Sequence, residues 1–430
     1  PADLDAGNRG RGNAGADGRR DARIDPPTHR PAAPAGQTMT MTDLWLDADP
    51  AHLRARGSLK WTATPAAVAA WVAESDLGTA PAVSAALHDA IDRGLTGYLP
   101  GAVRREARES CANWQRERYG WDVPSSRVHL VPDVIEAFRI AIHHHTGPGG
   151  AIVLPTPAYM PFLTLPGTWG RELVQVPMIP GADGRPTVDL EGISAALAAR
   201  PGSLLALVNP HNPTGRVHTP AELSALAEVV DRTGAWVFAD EIHAPLVQPG
   251  HRHVPYASLS PMTAAHTTTA TAASKGWNIP GLKCAQVIVT NDEDAAWWEA
   301  NADANGRGVS TLGAVATAAA YREGGAWLDE LLAYLAQNAA ALRSALGEGI
   351  PFADPEGTYL VWLDLRERLA GLADAPQEGE LGRWLLERAG VAVVDGTANG
   401  DHHGFVRFNL ATPRALVEDA GARLRAALDS

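Results

Sequence analysis

The chain has 430 residues, 45% of them hydrophobic, which is enough for two globular domains at roughly one domain per 150 residues. Lys and Arg total 36 against 49 Asp and Glu, and the net charge of −13 disfavours binding to nucleic acid or to an anionic membrane. The two cysteines, Cys111 and Cys284, form neither a disulfide framework nor a zinc spacing, so we expect a protein of the reducing cytoplasm. No apolar run reaches the roughly 18 residues of a membrane span.

Residues 1–40 are rich in Gly, Ala, Pro, Arg and Asp and contain almost no large apolar side chains. Such a segment buries too little surface to offset the entropy of ordering, so we predict that it is disordered. Met39 and Met41 stand just before the first globular-looking sequence, which also fits a leader or an over-long reading frame. The acidic residues of the segment argue against a transit peptide.

Short apolar runs alternate with helical periodicity from about Pro81 onward, which predicts a mainly parallel sheet covered by helices. Candidate functional residues follow most of these runs at once, and ligands of such sheets bind beyond the carboxyl ends of the strands. We therefore expect the functional site at that edge of the sheet. The predicted strands are residues 128–131, 151–154, 204–208, 235–239, 267–270 and 286–289.

The remaining pattern predicts one well-capped helix and a second, smaller domain. Thr219 and Glu222 are spaced for reciprocal capping of a helix that begins at Pro220. A long helical stretch runs from residue 312 to about 346. The runs 358–363 and 404–410 then predict strands of a smaller α+β domain.

Three segments carry side chains that together suit the binding of pyridoxal phosphate: NPHNPTG at 209–215, ADEIH at 239–243 and TAASKGWNIPGLK at 271–283. Lys275 would bind the cofactor covalently, and once displaced it would be the base nearest the substrate Cα. Asp240 ends an apolar run, where a buried carboxylate needs a cationic partner such as a protonated pyridine nitrogen. Asn212 would bond the ring hydroxyl.

The order and spacing of these segments resemble the fold-type I aminotransferase superfamily from about Trp61 to the C-terminus, and within it the cystathionine β-lyases of the MalY/PatB type. The resemblance implies an α/β fold with a mostly parallel seven-stranded sheet in a large domain and a small α+β domain. Residues 41–85 would be the N-terminal part of the small domain, 86–325 the large pyridoxal phosphate-binding domain, and 326–430 the C-terminal small domain.

The resemblance also implies roles for further residues. Tyr159 would stack on the cofactor ring, and Arg407 would bind the substrate carboxylate. His243 occupies the position where many aminotransferases carry a tyrosine, and a histidine there is typical of the lyases. Tyr98 and Ser310 would reach the phosphate of a neighbouring subunit, with Tyr98 also catalytic, so we expect a homodimer with composite active sites and a small amino-acid substrate. The phosphate would be held by the backbone of Val134 and Ile135, together with the side chains of Ser274 and Lys283.

The phosphate-binding segments depart from the family pattern at three positions. Asp133 stands where a glycine is usual, Ala272 replaces a serine, and Lys283 replaces an arginine. An acid next to a phosphate faces like charge, so Asp133 must point away, or the loop must differ, or Asp133 serves only as a helix N-cap. A lysine offers a point charge in place of a bidentate fork, which predicts weaker phosphate binding.

Each assignment has a plainer structural alternative: a surface charge for Lys275, a helix cap for Asp240, a turn for Asn212, core packing for Tyr159 and an internal salt bridge for Arg407. The three histidines at 143–145 invite a metal interpretation. Consecutive helical residues do not share a face, so we expect them to form a C-terminal helical turn and assign no metal site.

The predicted activity is the pyridoxal phosphate-dependent cleavage of a carbon-sulfur bond in an L-cysteine conjugate such as cystathionine. The lyase features of the sequence are His211, His243 and Tyr159. An aminotransferase is the main alternative because the first steps are shared. Decarboxylation or oxidative deamination in specialised metabolism, and a cofactor-free binding protein on the same scaffold, are further alternatives, and the intact Lys275 and Asp240 weigh against the last.

Overall fold

The computed structural model describes residues 49–181 and 185–429, which belong to one compact unit. The prediction for residues 1–40 lies outside the described residues. No helix within the described ranges is both long enough and apolar enough to cross a membrane. The strands are β1 Val68–Ala69, β2 Val128–Val131, β3 Ala151–Thr156, β4 Glu172–Pro177, β5 Ile179–Pro180, β6 Pro186–Thr187, β7 Leu204–Val208, β8 Trp236–Asp240, β9 Thr267–Thr271, β10 Ala285–Val289, β11 Leu360–Asp364, β12 Val391–Ala392, β13 Val394–Asp395 and β14 Phe405–Asn409.

The main sheet has seven strands in the order β2-β10-β9-β8-β7-β3-β4. Its strands run parallel except β10, which pairs antiparallel with β9 and with β2. The predicted mostly parallel seven-stranded sheet is therefore confirmed. The six predicted strands are all present, whereas β4 was missed because it is an edge strand that leaves Glu172 and Gln175 exposed and so lacks a continuous apolar run.

Helices cover both faces of this sheet. The α-helices are α1 Pro50–Ala55, α2 Leu59–Thr62, α3 Pro81–Asp92, α4 Gly101–Trp114, α5 Val134–His145, α6 Met160–Thr168, α7 Leu190–Ala198, α8 Pro220–Thr233, α9 Pro261–Ala265, α10 Asp292–Ala300, α11 Ala302–Asn305, α12 Thr311–Glu323, α13 Gly325–Leu346, α14 Arg366–Ala370, α15 Leu381–Ala389 and α16 Arg414–Leu428. A π-helical turn spans Gln115–Tyr119, and 3₁₀ turns span Ser125–Arg127, Ala244–Leu246, Tyr256–Ser258, Pro280–Leu282 and Gly396–Asn399.

The core on one face of the sheet includes Phe138 of α5 and Phe162 of α6. The core on the other face includes Ile193 of α7 and Leu226 of α8. The predicted start of α8 is confirmed, because the Thr219 hydroxyl accepts from the backbone N–H of Glu222 while the Glu222 carboxylate accepts from that of Thr219.

A smaller antiparallel sheet, ordered β11-β14-β13, lies in the C-terminal part of the chain and contains both predicted strands of that region. β1 pairs with β12 in parallel, so the N-terminal segment joins the C-terminal region across more than 300 residues of sequence. The domain boundaries proposed from the sequence remain a prediction.

The helical stretch predicted from 312 to 346 is two helices, and Gly324 separates them. A side chain at this position would place its Cβ 2.6 Å from the Ala320 carbonyl oxygen and closer still to Nε1 of Trp277. The indole N–H of Trp277 donates to the Gly324 carbonyl at 3.0 Å. The Trp277 indole occupies the position where a continuous helix would carry a side chain. Sequence periodicity alone does not reveal this contact.

The three histidines end α5, as expected, but two of them converge. His144 and His145 both direct Nε2 towards the carboxylate of Asp294, at 3.1 Å from Oδ1 and 3.6 Å from Oδ2 respectively. His143 is not part of this cluster. The expectation that consecutive histidines do not share a face is therefore wrong for His144 and His145. Their side chains extend from the last helical turn, and both rings point to the same carboxylate on α10.

Candidate active site

A cavity lies beyond the carboxyl ends of β7, β8 and β9, at the edge of the sheet where the sequence places the functional residues. Val208 ends β7, Asp240 ends β8, and Lys275 follows β9 by four residues. The structure brings most of the predicted site residues into this one cavity wall: Val134, Ile135, Tyr159, Asn212, Asp240, His243, Ser274, Lys275 and Lys283.

Lys275 projects into the cavity from the loop after β9. Its Nζ donates a hydrogen bond to the Ala73 carbonyl oxygen at 2.9 Å. Burial, and next the positive charge of Arg407, lower the pKa of the Lys275 amine to about 8. A lysine with this pKa is partly neutral near physiological pH, as a nucleophile towards an aldehyde or a base towards a Cα proton must be.

Asp240 is the last residue of β8, and its side chain is buried. Its Oδ1 accepts a hydrogen bond from the backbone N–H of Ile242 at 3.0 Å. Burial is the main cause that raises the pKa of the Asp240 carboxyl to about 7, and the charge of Glu241 adds to it. The described residues give Asp240 no ion-pair partner, so the geometry fits a protonated pyridine nitrogen that would hold it ionised.

Arg407 lies on β14 and is 2% exposed. One Nη donates to Oδ1 of Asn212 at 3.1 Å, the other donates to the Trp71 carbonyl oxygen at 3.0 Å, and its buried Nε has no partner. Burial lowers the pKa of the guanidinium to about 10. No described carboxylate forms an ion pair with Arg407, so the described residues do not support the alternative of an internal salt bridge. The guanidinium can therefore bind the carboxylate of a substrate.

His243 and Tyr159 complete the ring end of the cavity. Burial, then the charges of Lys275 and Arg407, hold the pKa of His243 well below its usual range, so this imidazole is neutral. Its buried Nδ1 has no partner among the described protein groups. Tyr159 immediately precedes α6, and burial raises the pKa of its phenol. Both side chains border the space that a planar cofactor ring would fill.

The first turn of α5 forms the phosphate end of the cavity. Val134 and Ile135 are its first two residues, and N–H groups at this position have no intrahelical acceptor. Asp133 is the helix N-cap, which is one of the alternatives that the sequence left open, since its Oδ1 accepts a hydrogen bond from the backbone N–H of Glu136 at 2.8 Å. Its Oδ2 accepts from Nζ of Lys283 at 2.8 Å. Ser274 contributes a hydroxyl to the same wall.

Tyr98 and Ser310, like Arg407, do not line the cavity, but Arg407 contacts one of its walls through the hydrogen bond to Asn212. The Tyr98 side chain is fully exposed. Ser310 caps α12, with its hydroxyl oxygen accepting from the backbone N–H of Gly313 at 3.1 Å. A role for either residue in a neighbouring subunit's site remains a prediction.

Sequence reasoning missed the Ala73 carbonyl group, which accepts hydrogen bonds from both Nζ of Lys275 and the hydroxyl of Tyr359, each at 2.9 Å. A backbone carbonyl leaves no signal in a side-chain motif. The segment around it is held by the buried ion pair between Lys60 and Asp76, whose Nζ and Oδ2 lie 2.8 Å apart. Residues far apart in sequence thereby fix the position of the Lys275 amine.

The arrangement matches what pyridoxal phosphate requires: an amine of lowered pKa, a buried acid without a cation, unpaired N–H groups at a helix start, and an arginine available to a carboxylate.

Comparison with known proteins agrees with this assignment. The model of the aminotransferase class I and II family matches residues 72–424. A cystathionine β-lyase of Corynebacterium glutamicum is 37% identical over 381 residues, covering 88% of this chain and 98% of that protein.

Solved structures give the same result. A candidate PLP-dependent β-cystathionase from Corynebacterium diphtheriae superposes with a TM-score of 0.81 at 36% identity, covering 89% of this chain and 98% of the other. Cystalysin from Treponema denticola, which contains pyridoxal 5′-phosphate, superposes with a TM-score of 0.79 at 27% identity, covering 87% and 96%. The chain belongs to the aminotransferase class I and II family of pyridoxal phosphate enzymes, and within that family it is a carbon-sulfur lyase of the MalY/PatB type.

Proposed function

We propose that the enzyme cleaves the Cβ–S bond of L-cystathionine, or of another S-conjugate of L-cysteine, to a thiol, pyruvate and ammonia. The observation that carries this proposal is the cavity wall shared by Lys275 and Asp240, with the guanidinium of Arg407 held against Asn212 beside it. The relatives named cystathionine β-lyase support the choice of substrate class.

Pyridoxal phosphate, when bound, supplies an electron sink for negative charge at the substrate Cα. Asp240 would hold the ring nitrogen protonated, because a buried carboxylate is stable only beside a cation. Arg407 binds the α-carboxylate of the substrate and thereby orients the Cα–H bond. Asp240 lies on β8 of the main sheet and Arg407 on β14 of the smaller sheet, and the hydrogen bond from Arg407 to Asn212 joins the two parts of the chain at the site.

Lys275 then removes the α-proton, which its lowered pKa permits near neutral pH. The electron pair left at Cα forms the Cα–Cβ double bond as the Cβ–S pair departs with the sulfur. The thiolate takes up a proton and leaves as the thiol. The aminoacrylate that remains adds water after release and decomposes to pyruvate and ammonia, so one water is consumed in each turnover.

A further part of the proposal is assembly as a homodimer in which Tyr98 and Ser310 serve the partner's site. The Tyr98 ring is fully exposed, so it is accessible to a partner subunit, as this assembly requires. The homodimer and the cytoplasmic location remain predictions made from the sequence.

The test of function is a product assay with L-cystathionine and no keto acid. We expect pyruvate and free thiol in equal amounts, over many turnovers per active site, and none of either from a Lys275→Ala variant. An aminotransferase would stop after one half-reaction and resume when a keto acid is added. If cysteine conjugates give no pyruvate, while a keto acid is required for turnover of an ordinary amino acid, the lyase proposal is wrong.

A further inference from the structure

A second cluster of potential ligands lies at the opposite end of the helix that begins at the phosphate site. α5 starts beside Asp133 and ends at His145, and 12 residues of helix span about 18 Å. At this far end the Nε2 atoms of His144 and His145 and the carboxylate of Asp294 lie within 4.8 Å of one another. The cluster is therefore separate from the catalytic cavity.

The two imidazole rings are fixed by stacking. His144 stacks on Trp297 with ring centroids 3.9 Å apart and an angle of 19° between the planes. His145 stacks on Trp236 at 3.7 Å and 9°. The rings are thus held in orientations that aim both Nε2 atoms at one carboxylate, which lowers the entropy cost of gathering them around a ligand.

The carboxylate is equally fixed. Asp294 is 3% exposed and lies in the first turn of α10. Its Oδ2 accepts a hydrogen bond from Nδ2 of Asn291 at 2.9 Å. A hydrogen-bonded carboxylate beside stacked imidazoles is the kind of supported ligand set that metal centres use.

We propose that His144, His145 and Asp294 bind a divalent transition-metal ion of the zinc class. Bonds of about 2.0–2.1 Å to a tetrahedral ion put neighbouring ligand atoms roughly 3.3 Å apart. Nε2 of His144 lies 3.1 Å from Oδ1 of Asp294 and Nε2 of His145 lies 3.6 Å from Oδ2, so each imidazole stands near this spacing from a different oxygen of the carboxylate. Two imidazole nitrogens and a carboxylate are donors that zinc, cobalt and nickel share.

Access and local charge also suit a cation. The His144 side chain is 21% exposed, so an ion can enter from solvent on that side and keep a water as its fourth ligand. The histidines lie in the last turn of α5, where the helix dipole favours positive charge. Metal binding would place the proton of each imidazole on Nδ1.

The competing explanation is a cluster held by hydrogen bonds alone, in which each Nε2–H donates to Asp294. The Thr268 hydroxyl, 3.2 Å from Nε2 of His145, would belong to the same network. The chain offers a matched control that separates the two explanations, since His143 is the adjacent residue on the same turn and does not join the cluster. Glu378, Asp401 and His403 form an exposed group that could also bind an ion, so a His403→Ala variant tests whether the ion binds there instead.

The experiment titrates chelator-treated holoenzyme with Co²⁺, followed by its visible absorption, and with Zn²⁺, followed by calorimetry and metal analysis. We expect one ion per chain and a rise in Tm with Zn²⁺. His144→Ala and Asp294→Asn should each weaken binding at least tenfold and abolish the rise in Tm, whereas His143→Ala should match the unaltered enzyme.

Three results would overturn the proposal. The first is absence of binding at submillimolar metal. The second is equal affinity of His143→Ala and His144→Ala. The third is loss of the bound ion in His403→Ala with retention in His144→Ala, which would assign the ion to the exposed group. Metal bound to the cofactor would survive in every one of these variants. It would therefore appear as the second result, equal affinity of His143→Ala and His144→Ala.

Discussion

Nζ of Lys283 lies 2.8 Å from Oδ2 of Asp133, so two of the three positions where the phosphate end departs from the family pattern form an ion pair with each other. Asp133 stands in place of a glycine and Lys283 in place of an arginine. Because the phosphate must share the Lys283 ammonium with this carboxylate, the pair competes with cofactor binding.

We expect Asp133→Asn to bind pyridoxal phosphate several-fold more tightly, by about 1 kcal/mol, because it removes a negative charge near the phosphate and leaves Lys283 unpaired. Asparagine keeps the N-cap hydrogen bond, so stability should change little. Fluorescence titration of the apoprotein measures the affinity. An unchanged or weaker affinity would mean that Asp133 positions Lys283 instead of competing with the phosphate, and Lys283→Met should weaken binding in either case.

Asp240→Asn should retain cofactor but lose at least a hundredfold in turnover, or about 2.7 kcal/mol, because a neutral amide does not hold the ring nitrogen protonated. Steady-state kinetics with cystathionine give the ratio, and the absorption spectrum reports bound cofactor. Turnover near that of the unaltered enzyme would show that another residue holds the ring nitrogen.

The pKa of Lys275, lowered to about 8, predicts a pH dependence for reconstitution of the apoprotein. Only the neutral amine attacks the aldehyde, so the rate should rise as the pH increases towards about 8 and level off above it. Arg407→Met removes a positive charge that lowers this pKa, so the profile should move to higher pH. Arg414→Met, remote from the cavity, is the control, and identical profiles for the two variants would contradict the account.

Gly324→Ala should destabilise the protein by about 2–3 kcal/mol, because the added methyl group meets the Trp277 indole and the Ala320 carbonyl oxygen. Gly325→Ala is a matched control, since the nearest atom outside its own helix, on Trp114, is 4.0 Å away, and alanine favours the helix. Chemical denaturation of both variants gives the difference. Equal stabilities would show that the break between α12 and α13 does not depend on this contact.

Mixing inactive Lys275→Ala with inactive Tyr98→Phe should restore about a quarter of full activity, if subunits exchange at random and each site takes Lys275 from one chain and Tyr98 from the other. Half of the dimers are then mixed, and each mixed dimer has one intact site of two. Activity assays after co-refolding measure the recovery. An active monomer in sedimentation would exclude shared sites.

The sequence predicted those parts of the fold and site that continuous patterns encode. Buried apolar runs revealed β7 and β8, a buried run rich in β-branched threonine revealed β9, and polar residues after the runs of β8 and β9 revealed Asp240 and Lys275. The edge strand β4, with exposed residues between apolar ones, gave no such run. The break at Gly324 depends on an indole from a distant segment.

One feature of the active site and one feature outside it depend on contacts in the folded chain. The Ala73 carbonyl that binds Lys275 belongs to the backbone, so it has no motif. The convergence of His144 and His145 on Asp294 depends on the side-chain directions at the end of α5 and on the position of α10, which helical periodicity does not determine. Both arise from contacts between residues more than 100 positions apart.

Borohydride reduction of the holoenzyme, followed by peptide mass mapping, tests most directly whether Lys275 binds the cofactor and is placed to serve as the base. We expect one pyridoxyl label per chain, on Lys275, and loss of both the label and the cofactor's visible absorption band in Lys275→Ala. A label on Lys283 or Lys60, or no label despite bound cofactor, would contradict this assignment of Lys275.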